Sequence, residues 1–133
     1  MSLLAVYETV FPVIATYTAH PIIWPNVTPK VQPTGTHIEA YVMPTDSESL
    51  GVTAVDFDSG YIQFMVRVKQ GSGLIAAAEI AAAIGAKFPR GLSLTHAATG
   101  QIVRFDKVPS YKPALQEGAW FSVPVLVKYR VTL

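Results

Sequence analysis

The sequence predicts an α+β domain: a single mixed or antiparallel sheet packed against two helices, in the order helix, three strands, helix, three strands. Three observations predict it. Tyr61 to Lys69 alternates, with Ile62, Phe64, Val66 and Val68 inward and Gln63, Arg67 and Lys69 outward. Leu74 to Phe88 places Leu74, Ala77, Ala78, Ala81, Ile84, Gly85 and Phe88 on one helical face. Trp120 to Thr132 alternates again, with Phe121, Val123, Val125, Val127, Tyr129 and Val131 on one side. Strand runs separated by a single helix favour a sheet with helices on one face.

The elements follow in order. Leu3, Leu4, Tyr7, Val10, Phe11 and Ile14 share a helical face, with Ser2 as N-cap. Pro12 is expected to end or kink that helix, and Val13 to Thr18, rich in β-branched residues, to be extended. Pro21 to Thr36 holds four prolines and one glycine and reads as a long ordered loop, anchored by Trp24. His37 to Met43 alternates as the first strand, ended by Pro44. Thr45 to Ser49 reads as a polar loop, Leu50 to Phe57 as the second strand, and Asp58-Ser59-Gly60 as a hairpin turn.

Gly71-Ser72-Gly73 is a joint before the second helix, with Ser72 as cap and Lys87 in the last turn, where a cation suits the helix dipole. Pro89-Arg90-Gly91 closes that helix. Short strands are expected over 92–97 and 102–108, and a polar loop over 110–118. Pro124 inside the last strand argues for an edge position or a bulge.

Composition bounds the function. The 133 residues fit one domain, 1–133. Half are hydrophobic and only 14% charged, against roughly 25% in average chains. Such a surface fits either a large core or partial cover by partners. Net charge is +1 and Lys and Arg are spread from Lys30 to Arg130, so nucleic-acid binding by a broad basic face is not expected. There are no cysteines, which excludes disulfides and thiolate chemistry and fits a reducing compartment. The start lacks the basic residues of a signal peptide. Residues 9–29 carry no charged side chain but contain four prolines, so no spanning helix is expected. The chain is expected to be soluble, off the membrane, and cytoplasmic where it is made.

No motif carries catalysis. Gly71-Ser72-Gly73 lacks the Lys and hydroxyl of a phosphate loop. His20, His37 and His96 lie in different elements, without the spacing of a metal site. Ser93-Leu94-Thr95-His96 lacks a nucleophile elbow and reads as strand surface. No catalytic residue, metal or cofactor is expected. Trp24 and Trp120 read as core anchors, or else as parts of a protein interface.

Several segments together resemble the small phage tail-terminator proteins. They are Ile23-Trp24-Pro25-Asn26-Val27, Pro33-Thr34-Gly35 before a strand, Met43-Pro44, and Gly60-Tyr61-Ile62-Gln63. The Gly-Ser-Gly joint, Phe88-Pro89-Arg90-Gly91, and Gln116-Glu117 with Trp120 to Val125 and Tyr129 complete the set. The similarity runs from about Ile23 to Tyr129 in the same order. Pro12 departs from it, since the family shows an uninterrupted helix there. The resemblance implies a non-enzymatic ring, hexameric, that binds the end of the tail tube, stops its polymerisation and presents a head-joining surface. Implied partners are further copies of the chain, the tube protein and a head-completion protein. The implied location is the virion tail, reached from the cytoplasm of a bacterial host, with the gene in a phage or prophage. Trp24, Pro25, Asn26, Arg90, Trp120 and Tyr129 are the candidate structural anchors or interface residues. Another head–tail connector or completion protein is the alternative within phages. A small α+β hydrolase or ligand-binding domain is the alternative outside them.

Overall fold

The computed structural model describes residues 2–24, 35–50, 55–69, 71 and 74–132. Helix α1 (Ser2–Ile14) leads to β1 (Ile22–Ile23), β2 (His37–Leu50) and β3 (Val55–Lys69). Helix α2 (Leu74–Gly85) follows, then β4 (Leu92–Thr95), β5 (Ile102–Phe105), β6 (Ser110–Tyr111), β7 (Leu115–Glu117) and β8 (Trp120–Thr132). The class is the expected α+β. The count differs, because five strands rather than three follow the second helix.

All eight strands form one mixed sheet in the order β1-β2-β3-β8-β5-β4, with β6 and β7 also paired to β8. Among the described residues, only β1 with β2 is parallel; the other pairs are antiparallel. Period-two alternation sends Ile38 and Ala40, Ile62 to Val66, Val103 and Phe105, and Val125 to Val131 to one face. There they join Ala5, Val6, Val10 and Ile14 of α1 and Ala81 and Ile84 of α2 in one buried cluster. Phe88 sits at its centre, with ring centroids 5.5 Å from Phe64 and 5.3 Å from Phe105. Neither helix covers the opposite face.

Several local expectations are corrected. Pro12 lies inside α1, which runs one residue pair beyond it. Its ring is exposed, and Val10 and Ile14 on either side are buried, so core packing holds the last turn despite the lost donor. Val13 and Ile14 are therefore helical. The face that α1 buries is Ala5, Val6, Thr9, Val10 and Ile14, while Leu3, Leu4 and Phe11 are exposed. In α2, Leu74 and Ala78 are exposed, and the buried face is Ala77, Ala81, Ile84 and Gly85. The helix ends at Gly85, which leaves Lys87 in the turn after it. Ser72 and Gly73, the side chain of Ser2, and the 25–34 part of the Pro-rich loop lie outside the described residues. Before that part, Ile22 and Ile23 form β1, so the segment is not all loop.

The largest correction is the first hairpin. Pro44 does not end β2, and 45–49 is not a loop. The strand continues through a bulge between Pro44 and Ser47, one extra residue against β3. Thr45 Oγ1 donates to the Ser59 carbonyl at 2.8 Å across this bulge. Among the described residues β1 pairs with β2 at Ile38 and Glu39 and not at Pro44, so the missing proline donor interrupts no described ladder there. Asp58-Ser59-Gly60 is not a turn either; it lies within β3, paired to β2 and β8.

Pro124 is likewise not on an edge strand. It pairs with Met65 of β3, and its carbonyl accepts from Lys112 N on the other side. That side is where the short strands β6 and β7 are interrupted, so the missing proline donor falls in the gap of the ladder. Residues 110–118, expected as loop, contain those two strands, and the strands expected over 92–97 and 102–108 end early, at Thr95 and Phe105.

Candidate assembly surfaces

Two clusters stand on the open face of the sheet. The first is centred on Glu39 in β2. Tyr41 Oη donates to Glu39 Oε2 at 2.8 Å, and Arg67 Nε lies 3.2 Å from the same oxygen. His37 Nε2 is 3.5 Å from Oε1. His37 Nδ1 donates to the Gly35 carbonyl at 2.9 Å, which places its hydrogen on that nitrogen. Arg67 Nη1 reaches Ser122 Oγ on β8 at 3.3 Å, and the His37 ring meets Trp120 edge-on at 4.9 Å. Burial acts to raise the Glu39 pKa. The Tyr41 hydrogen bond, the Arg67 charge and the contacts from Arg67 and His37 outweigh it, so the carboxyl lies below its ordinary range. The cluster ties β2, β3 and β8 together through side chains.

The second cluster is basic. Lys128 and Arg130 on β8, Arg104 on β5 and Lys107 beyond it line a cleft of about 280 Å³ with Ser59 and Asp106. Lys107 and Lys128 also line an adjoining hollow with Lys112, over Tyr61, Val108 and Leu126. Five of the ten Lys and Arg residues thus gather in one band. They are far apart in sequence, and sheet pairing brings them together, which corrects the expectation of scattered cations. Arg104 and Arg130 are directly opposite in register, a like-charge pair that costs stability in a sheet. Asp106 Oδ2 lies 3.0 Å from Arg130 Nη2 and offsets part of that cost. Among the described residues, Arg104, Lys107, Lys112 and Lys128 have no carboxylate partner.

The residues singled out from sequence are not brought together. Trp24 is half-buried against the core, its ring centroid 4.3 Å from Phe11 and 6.3 Å from Tyr7. With exposed Leu4 and Phe11, it forms an apolar ridge along α1. Pro25 and Asn26 lie outside the described residues. Arg90 is exposed in the turn after α2. Trp120 stands on the open face beside His37. Tyr129 is buried at 3% exposure on the helix-covered side, and its hydroxyl is pushed up to about 12, first by burial and then by Asp58 and Tyr7.

His96 is not strand surface. It is 3% exposed, bonded through Nδ1 to Thr99 Oγ1 at 2.7 Å, with Nε2 3.3 Å from Glu8 of α1. Ser93 and Thr95 beside it are exposed. Among the described residues, no group of three or more His, Cys, Asp or Glu could hold a metal ion. No described helix is long and apolar enough to cross a membrane. Sequence reasoning missed the Glu39 cluster, whose signal was a pair of opposite charges, Glu39 and Arg67, at outward positions of two strands; the register sets them diagonally, with Arg67 opposite His37 and Glu39 opposite Met65.

Among the described residues, helices pack one face of the sheet and the other carries charged and aromatic clusters. The chain belongs to the phage tail terminator family: it matches the family described as "Phage tail terminator protein" over residues 4–129. It is therefore a phage tail structural protein. A solved structure of a protein without a descriptive name is 26% identical, with TM-score 0.76 over 100% of this chain and 97% of that one. A chain in the "Virion of native gene transfer agent (GTA) particle" shares the fold at 14% identity, with TM-score 0.60 over 98% of this chain and 93% of that one. No curated protein matches the sequence.

Proposed function

We propose that this protein closes the end of a phage tail tube as a homo-oligomeric ring, stops tube polymerisation and offers the surface to which the head is joined. The observation that carries this reading is the family match over nearly the whole chain, on a sheet whose second face is open. In this reading the protein acts by binding, without catalysis, metal or cofactor. Copies of itself, the tube protein and a head-completion protein are its partners. It is assembled in the host cytoplasm and remains in the virion tail. The ring is hexameric, as the family resemblance implies.

The apolar ridge of Leu4, Phe11 and Trp24 and the open face offer two separate contact surfaces, which a ring member touching both its neighbours and the tube requires. Free tube protein polymerised with and without the purified chain, and imaged by electron microscopy, tests the proposal. Shorter tubes with capped ends are expected. Unchanged tube lengths at saturating protein would remove the terminator function and favour a head-completion role.

A further inference from the structure

We propose that the hollow beside β8, floored by Tyr61, Val108 and Leu126 and rimmed by Lys107, Lys112 and Lys128, binds an acidic segment of a partner protein. The segment lays an apolar side chain on the floor and its carboxylates on the rim. This rests on the reading of the chain as a tail protein that acts by binding, and it gives the chemistry of one partner.

The hollow has a volume of about 200 Å³. The β3–β8 register sets Tyr61 directly opposite Lys128, and β6 sets Ser110 opposite Leu126. Lys112 follows β6, and its N–H donates to the Pro124 carbonyl at 3.0 Å. Leu126 and Lys128 alternate with buried Val125, Val127 and Tyr129, so both stand on the face away from the helices. Three segments far apart in sequence thus converge on one spot.

The rim concentrates one sign of charge. Among the described residues, no acidic side chain lines the hollow, and Lys107, Lys112 and Lys128 have no carboxylate partner. A concave site lined by one sign of charge focuses its field and draws the opposite sign. Three ammonium groups around one hollow also repel each other, and incoming carboxylates relieve that repulsion.

The floor adds a second requirement. Val108 is 66% exposed, so apolar area is left to bury. Exposed apolar surface continues from Tyr61 to Met43, its direct partner on β2, and to Tyr41. Tyr and Met are enriched at protein interfaces, whose polar groups gather at the rim. An inorganic anion or a nucleic-acid backbone would answer the lysines and leave Val108 wet. A neutral apolar segment would cover Val108 and leave three cations unanswered. A segment carrying both carboxylates and an apolar side chain matches rim and floor together.

The test is binding of labelled probes to the full chain, read by fluorescence polarisation over a salt series. The probes are a short Glu-rich peptide carrying Leu, an all-Glu peptide of equal length, and duplex DNA. The Leu-carrying peptide is expected to bind most tightly, and to weaken as salt rises. Lys107→Glu with Lys112→Glu is expected to weaken it by about tenfold or more. Lys107→Arg with Lys112→Arg is expected to keep binding, which separates lost charge from a folding defect. Val108→Ser is expected to weaken the Leu-carrying peptide by about threefold and to leave the all-Glu peptide unchanged.

No binding by wild type, or binding unchanged by the lysine reversal, overturns the site. Equal binding of the all-Glu peptide, or tighter binding of the duplex, overturns it in favour of a general polyanion site. Wild-type self-association that the lysine reversal abolishes, read by sedimentation, overturns it in favour of a contact between copies. The probes are measured without tubes, so the two readings fail separately. Uncapped tubes with peptide binding intact remove the terminator function and leave the site. Capped tubes with no peptide binding remove the site and leave the terminator function.

Discussion

Tyr129 and Gly60 face each other across the β3–β8 ladder so closely that no side chain fits at position 60. A Cβ there would lie 2.5 Å from the Tyr129 hydroxyl and 2.6 Å from the Met43 carbonyl. The glycine at the end of Asp58-Ser59-Gly60 thus serves close approach within a sheet, not the turn that its neighbours advertise. Gly60→Ala is expected to destabilise the fold by about 2–3 kcal/mol, as overpacking does. Adding Tyr129→Phe should recover only part of this, because the Met43 carbonyl remains. Denaturant titration of the two variants checks both statements.

The same tyrosine gives an alkaline signature. Its pKa is raised to about 12, so the folded chain keeps the phenolic proton after the unfolded chain has lost it. The stabilisation is intact below about 10, the ordinary tyrosine value, and is lost as pH rises through 12. Tyr129→Phe should flatten this loss between pH 10 and 12. Thermal melts of wild type and variant against pH measure it.

Glu39 gives the opposite signature. Its carboxyl is held below the ordinary range, so its stabilisation is present above the unfolded pKa and lost as pH falls through the lower folded value. Glu39→Gln should lower stability at neutral pH and remove part of the acid sensitivity below pH 4.5, the ordinary value. A stability–pH profile that keeps its full acid limb in the variant would refute the assignment.

Pro12 predicts a gain. It is exposed, and its ring removes a helical donor, a cost of about 3 kcal/mol against Ala in a helix interior. The stiffer unfolded chain gives back about 1 kcal/mol. Pro12→Ala is expected to stabilise by about 1–2 kcal/mol without changing assembly, as denaturant midpoints and sedimentation would show.

Trp24 is half-buried and contacts Phe11 and Tyr7, so Trp24→Ala is expected to cost about 2–3 kcal/mol, below the range for a fully buried ring. A change under about 0.5 kcal/mol would mark it as surface only. Shorter contact with tubes, read by the capping assay, would place the α1 ridge at the tube.

The parts of the fold legible in sequence were those where one residue pattern had a single physical reading. Ile62 to Val68 and Val125 to Val131 alternate because each lies between a helix layer and an open face. Ala77, Ala81 and Ile84 repeat at helical spacing because small residues let α2 approach the sheet. The misread positions were prolines and glycines. Pro12, Pro44, Gly60 and Pro124 carry local signals for stops, turns or edges, and in each case tertiary surroundings overrode them. Buried Val10 and Ile14 hold the helix past Pro12, a stretch of β2 whose outer edge has no strand partner among the described residues accepts Pro44, and the β6–β7 gap accepts Pro124.

By itself the sequence determined the α+β class, the two helices, the three long alternating segments and, through ordered motifs, the tail-terminator resemblance. These depend on periodicity and local order, which a chain carries in one dimension. Only the tertiary structure decided that the first hairpin extends to Leu50 and Val55, that His96 is buried against Glu8, and that half the cations form one band. Those outcomes depend on which strand lies beside β8: Arg104, Lys107 and Lys112 reach Lys128 and Arg130 only because β5 and β6 pair with that strand. Pairing between distant segments leaves no periodic trace in either of them.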